Sequence, residues 1–129
     1  MDESMNVMIS FWVTGDEFDF DTVTQAVGVE PTQTCSKEEC RNPMFACTRW
    51  NYETGYIQTD TVSDEFEKMV DLLWDHASDI EQTLRDHALE CGFSIVIQAE
   101  EGQSPAIEFS RRCIQFAAMI DAEISVDIY

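Results

Sequence analysis

From Met5 to Val13 the chain alternates without a fault. Met5, Val7, Ile9, Phe11 and Val13 share one face, and Asn6, Met8, Ser10 and Trp12 share the other. A period of two sustained over this length belongs to a β-strand with one face committed to a core. Every later element has to be placed against that face.

The second strand signal runs from Met44 to Glu53. Its even positions Ala46, Thr48, Trp50 and Tyr52 are the more apolar set and are placed inward, with Arg49, Asn51 and Glu53 outward. Gly55 supplies the positive φ of a three-residue hairpin loop, which predicts a return strand over residues 56–60. Trp50 and Tyr52 are then core residues that lock the hairpin onto the helices.

The remaining elements follow from caps and periods. Gly15 breaks the first strand, Asp19 or Asp21 caps a helix to about Val27, and Gly28 and Pro31 end it. Thr32 to Pro43 is polar and aperiodic, a loop. Thr61 or Ser63 opens the strongest helix, whose Phe66, Met69, Val70, Leu73 and Ala77 form a core stripe. A break at Ser78-Asp79 and a second helix through Ile80, Leu84 and Ala88, closed by Gly92, come next. Strands are predicted at Phe93–Ala99, Ala106–Phe109 and Glu123–Tyr129, the last with Ile124, Val126 and Ile128 inward. Ser110 caps an intervening helix that buries Cys113, Phe116, Ala117 and Ile120. The order predicts a single domain over 1–129, an α+β ferredoxin-like sandwich. Its sheet has about four or five mostly antiparallel strands, with helices packed on one face.

Composition bears on partners. The chain has 26 acidic against 7 basic residues, a formal net charge of -19. Such a surface repels nucleic-acid phosphates and anionic lipid and attracts basic proteins. No apolar run reaches the length of a membrane span, and the acidic N-terminus lacks the features of a secretory signal, so a cytoplasmic protein is expected. Cys35, Cys40, Cys47, Cys91 and Cys113 fit that compartment as reduced thiols.

Four stretches in order carry a resemblance: Phe11-Trp12-Val13-Thr14-Gly15-Asp16-Glu17-Phe18-Asp19, Gly28-Val29-Glu30-Pro31-Thr32, Trp50-Asn51-Tyr52-Glu53-Thr54-Gly55-Tyr56, and the terminal Asp127-Ile128-Tyr129. Together they resemble the bacterial domain-of-unknown-function 4279 family over essentially the whole chain. The resemblance implies a small single-domain bacterial α+β protein and carries over no activity and no catalytic residue. The Cys-bearing segment from Thr34 to Pro43 lies outside it.

No catalytic or metal motif stands out. Asp16, Glu17, Asp19 and Asp21 lack the ligand ladder of a calcium loop and read as a solvated turn that caps the first helix. Cys35, Cys40 and Cys47 are not spaced as a zinc knuckle, and neither His76 nor His87 sits in a nucleophile or zinc motif. The chain is read as a non-enzyme without cofactor or metal.

Two surfaces are candidates for binding. On the Ser63 helix, Glu67, Asp71 and Asp75 repeat every four residues as a like-charged stripe that only Lys68 can relieve, with Trp74 at its edge as an aromatic anchor. On the uncovered sheet face, Met8, Trp12, Val96 and Tyr129 should emerge, available to a partner or to a homodimer. The sequence therefore predicts a protein-binding module that meets a basic partner through Trp74, Glu67, Asp71, Asp75, Trp12 and Tyr129. An immunity-type protein that neutralises a basic toxin is its most concrete form. The alternative is a small-molecule-sensing regulatory domain of ferredoxin-like type.

Overall fold

The alternating segment becomes the centre of the sheet. In the computed structural model, which describes residues 4–39 and 47–129, β1 (Met5–Gly15) pairs along one side with β5 (Glu90–Gln98), antiparallel. Its other side pairs with β3 (Thr48–Glu53) and β4 (Ile57–Thr59). β2 (Gln33–Cys35) flanks β3, and β6 (Glu123–Ile128) runs parallel to β5, giving a six-stranded mixed sheet. In place of the expected four or five strands, the described residues form six. The parallel pair arises because α4 (Arg111–Met119) lies between β5 and β6 and returns the chain to the same end of the sheet.

The predicted hairpin at Thr54-Gly55 is not formed. β3 and β4 follow the same side of β1 in the same direction, Ser10 facing Glu53 and Val7 facing Ile57. Three steps along β1 therefore match four along its partner, a one-residue bulge with Gly55 at φ 74°. A positive-φ glycine serves a bulge as readily as a hairpin, and the partner strand decides which.

The four α-helices among the described residues cover one face. α1 (Phe20–Val27) is capped by the Asp19 carboxylate, which accepts from the Asp21 amide at 3.1 Å, and it ends at Gly28 in the left-handed region. Its Thr24 hydroxyl accepts from the indole Nε1 of Trp50 at 3.0 Å, so the fully buried Trp50 ties sheet to helix. α2 (Val62–Leu73) and α3 (Ala77–His87) form one helical run through a 3-10 turn at Trp74–His76. The interruption therefore falls before Ser78, and α3 closes at Ala88 (φ 55°) rather than at Gly92, which lies inside β5.

Phe11, Phe66, Phe93 and Phe116 meet edge-on or tilted in the middle of the core, with centroids 5.1–6.4 Å apart along the chain of contacts. Met5, Val7, Ile9, Phe11 and Val13 are all buried, as their alternation predicts. Three further expectations are corrected. Part of the presumed loop after Thr32 is β2, which adds to β3 through backbone bonds that its polar sequence does not advertise. Ala106–Phe109 is not a strand; it crosses the start of α2, where the Glu108 amide donates to Ser63 Oγ at 2.8 Å and Phe109 packs on Phe66. Val126 and Ile128 take the helix side of the sheet yet are exposed, because β6 is an edge strand. The expectations for Cys40 and for residues 41–46, including the inward Ala46, lie outside the described residues.

Candidate functional site

Both α3 and α4 end in the same way, and at the same place. In each, a non-glycine residue takes the left-handed conformation, Ala88 and Asp121, both at φ 55°. The following amides then reach back, Leu89 N to Leu84 O and Ala122 N to Ala117 O, both at 2.8 Å. Each left-handed residue costs about 1 kcal/mol relative to glycine, and each lets the chain turn directly into a strand, β5 and β6 respectively.

Between these two helix ends lies a groove of about 660 Å³. Leu84, Leu89, Cys91 and Met119 supply its apolar surfaces, and Glu81, Glu90, Asp121 and Glu123 its acidic ones. Arg85 is the basic residue of the lining, and it is held by Glu81 one helical turn away. The C-terminal ends of two helices add partial negative charge to the same spot. The groove therefore joins an acidic rim, with Glu81 paired to Arg85, to a smaller apolar floor.

Cys91 shows the electrostatic character of the place. Its thiol donates to the Ile120 carbonyl at 3.5 Å, and burial, followed by the charges of Asp121 and Glu123, pushes its pKa up to about 12. It is a neutral thiol, unsuited to nucleophilic attack. Cys113 is likewise shifted upward by burial, while the Ser110 hydroxyl works in the opposite direction. Among the described residues no group of three or more His, Cys, Asp or Glu side chains is placed to hold a metal ion, and no helix is long and apolar enough to cross a membrane.

The acidic stripe predicted on α2 is divided by the tertiary structure. Glu67 accepts from the Ser110 hydroxyl at 2.7 Å, at the start of α4. Asp71 pairs with Arg112, whose guanidinium lies 4.1 Å from the centre of the Trp74 ring. Trp74 itself is half-buried and stacks on Phe116 at 5.8 Å. Asp75 is exposed. Lys68, the expected relief for the stripe, bonds Glu65 instead at 3.0 Å. Glu67, Asp71 and Trp74 thus meet α4 within the molecule.

On the open sheet face, Trp12 lies across Gly92. A Cβ at residue 92 would stand 2.3 Å from Trp12 Cζ2, so only glycine admits the ring. Arg49 covers the indole from 5.9 Å. Met8 and Val96 are half-exposed beside it, and Tyr129, at the end of the β6 ladder, is 75% exposed. At the opposite corner Lys37 bridges Asp16 (3.1 Å) and Glu17 (3.3 Å), which raises the lysine pKa. His76 is half-buried with its ring against Gly28, where a Cβ would meet Nε2 at 2.4 Å.

Sequence reasoning missed the groove, because its acids come from α3, from the start of β5, from the α4–β6 turn and from the start of β6. No local pattern links Glu81, Glu90, Asp121 and Glu123.

Fold and groove define a small α+β protein with an open mixed sheet and an acid-rimmed recess at two helix ends. The family model described as Domain of unknown function (DUF4279) matches residues 5–129, and the chain belongs to that family. No curated protein and no solved structure matches it.

Proposed function

We propose that the protein is a non-enzymatic binding module for a basic protein, which it receives in the groove between the ends of α3 and α4. One observation carries this reading: acidic groups from separate elements converge with two helix C-termini over an apolar floor. Lysine and arginine have the complementary build, an aliphatic stem for the floor and a cation for the rim. The net charge of -19 adds long-range attraction, which speeds encounter with a basic partner. The specific form we favour is an immunity-type protein that blocks a basic toxin, for which a compact, highly acidic surface is suited.

Affinity capture at ~0.05 M and ~0.5 M salt tests the proposal, with the parent chain and a Glu90→Lys/Glu123→Lys variant as baits. A basic protein held by the parent, released by salt and ignored by the variant is the expected result. An acidic partner, or capture indifferent to salt and to both substitutions, overturns it.

The second reading is a small-molecule-sensing regulatory domain of ferredoxin-like type. The order β2-β3-β1-β5, antiparallel throughout and with helices after β1 and before β5, favours it. On this view α4 and β6 extend a split βαβ unit. The groove volume also lies within the range of small-ligand sites. A thermal-shift screen against metabolites separates the two readings, since a ligand of the folded state raises Tm.

A further inference from the structure

We propose that β6 is a self-association edge, at which two copies of the chain pair antiparallel about a two-fold axis at Val126 and join their sheets. The two ends of the sheet are treated differently. The β2 end has three residues, Gln33-Thr34-Cys35, follows shortly after Pro31 and carries no apolar row. β6 has six residues in unbroken register with β5, without lysine, proline, glycine or bulge; of the devices that usually keep a free edge from pairing it has only the carboxylates of Glu123 and Asp127.

Exposed apolar side chains lie on this strand and on the α4 segment that precedes it. Among the described residues, only Tyr56 and Leu72 of the large exposed hydrophobics lie outside the segment 114–129. Val126 is 36% and Ile128 54% exposed on the helix side of β6. Ile114, also 54% exposed, is on the flank of α4 opposite Arg112, which faces α2. A row of this kind on an edge strand marks an interaction surface.

The strand itself selects a second copy as occupant. Tyr129 turns its peptide groups toward β5, donating to Ile97 O at 2.8 Å and accepting from Ala99 N at 3.0 Å. By alternation Ile124, Val126 and Ile128 turn theirs outward, free to form a ladder. A two-fold at Val126 sets those residues opposite one another, Val126 against its copy and Ile124 against Ile128. On the other face Ser125 then opposes Asp127 and Glu123 opposes Tyr129, so no two carboxylates meet directly. Shifting the axis to Ser125 would oppose Glu123 and Asp127, a like-charge pair that disfavours that register. The net charge of -19 per copy opposes any dimer, so association should strengthen as salt screens it.

Sedimentation equilibrium of the full chain at ~0.05 M and ~0.5 M salt tests the idea. A dimer favoured by the higher salt, and weakened about tenfold or more by Val126→Lys, is expected. Circular dichroism confirms that the variant is folded. A Val126→Cys chain, oxidised and digested, should yield a peptide linked 126 to 126, since paired antiparallel Cα atoms lie within disulfide reach. A chain that stays monomeric at every salt concentration, a dimer unaffected by Val126→Lys, or a folded dimer of the cysteine variant without that link would overturn the proposal.

Discussion

The amide of Ile9 donates to the hydroxyl of Thr54 at 3.1 Å, at the point where the β1 ladder slips by one residue. The backbone amide of Thr54 donates in turn to the Ile9 carbonyl at 3.0 Å. One threonine therefore satisfies both main-chain groups of a buried residue that the bulge would leave short of a partner. Its hydroxyl proton goes to the Gly55 carbonyl at 2.7 Å, which completes the turn. The Trp-x-Tyr-x-Thr-Gly-Tyr stretch is thereby a structural device: Trp50 fills the core, Thr54 repairs the ladder, and Gly55 supplies the bulge conformation.

Replacing Thr54 by Val keeps the shape and removes the acceptor. The buried Ile9 amide then has no partner, which should cost about 1–3 kcal/mol. Urea unfolding reads the loss, and hydrogen exchange at Ile9 should accelerate while the β5 side of the ladder is little changed. Thr54→Ser should recover most of the stability. Gly55→Ala tests the backbone alone, because nothing lies within 4 Å of its Cβ position; about 1 kcal/mol is expected from the φ of 74°. Equal stability of Thr54→Val and parent would contradict the repair role.

The face assignments were legible in the sequence because they depend on local alternation: β1, Thr48 and Trp50, and the core side of β5. The hairpin error has a physical reason. Gly55 would look the same in either structure, and the choice rests on Ile57 pairing with Val7, far away in the chain. The relief of the α2 stripe by Arg112 rather than Lys68 is hidden from the sequence for a similar reason. Like charges at four-residue spacing are visible locally, but Arg112, which neutralises Asp71 and covers Trp74, comes from another helix. Gly92 reads locally as a helix stop, whereas in the fold it makes room for Trp12, a contact that β1–β5 register alone creates.

That contact yields the second prediction. Gly92→Ala places a Cβ 2.3 Å from Trp12 Cζ2, and a rigid indole cannot yield by a small rotation. Either the ring swings off the sheet or β1 and β5 separate, and overpacking of this kind costs about 1–3 kcal/mol. In a Trp12→Leu background the same substitution should cost much less, giving a coupling of about 1 kcal/mol or more in a double-mutant cycle. Additive effects of the two substitutions would show that the glycine is needed for some other reason.

Cys91 gives the third, through the pH dependence of stability. Its folded pKa of about 12 lies above the ordinary thiol value of 9.0, chiefly because burial penalises the thiolate, with Asp121 and Glu123 adding to the shift. Between those two values the unfolded chain has lost its proton and the folded chain retains it, so folding binds a proton there. Stability from this group is therefore complete below pH 9.0 and falls as pH rises toward about 12. The slope should approach 1.4 kcal/mol per pH unit, the limit for one proton, at about 25 °C. Urea unfolding of the parent and of Cys91→Ala across this range isolates the contribution: the parent curve should fall more steeply, whatever the alanine costs at neutral pH. At pH 8 the same thiol should resist alkylation in the folded protein while the half-buried Cys35 and Cys47 react. Parallel stability curves, or rapid labelling of Cys91 in the native state, would contradict the burial of this thiol beneath the groove.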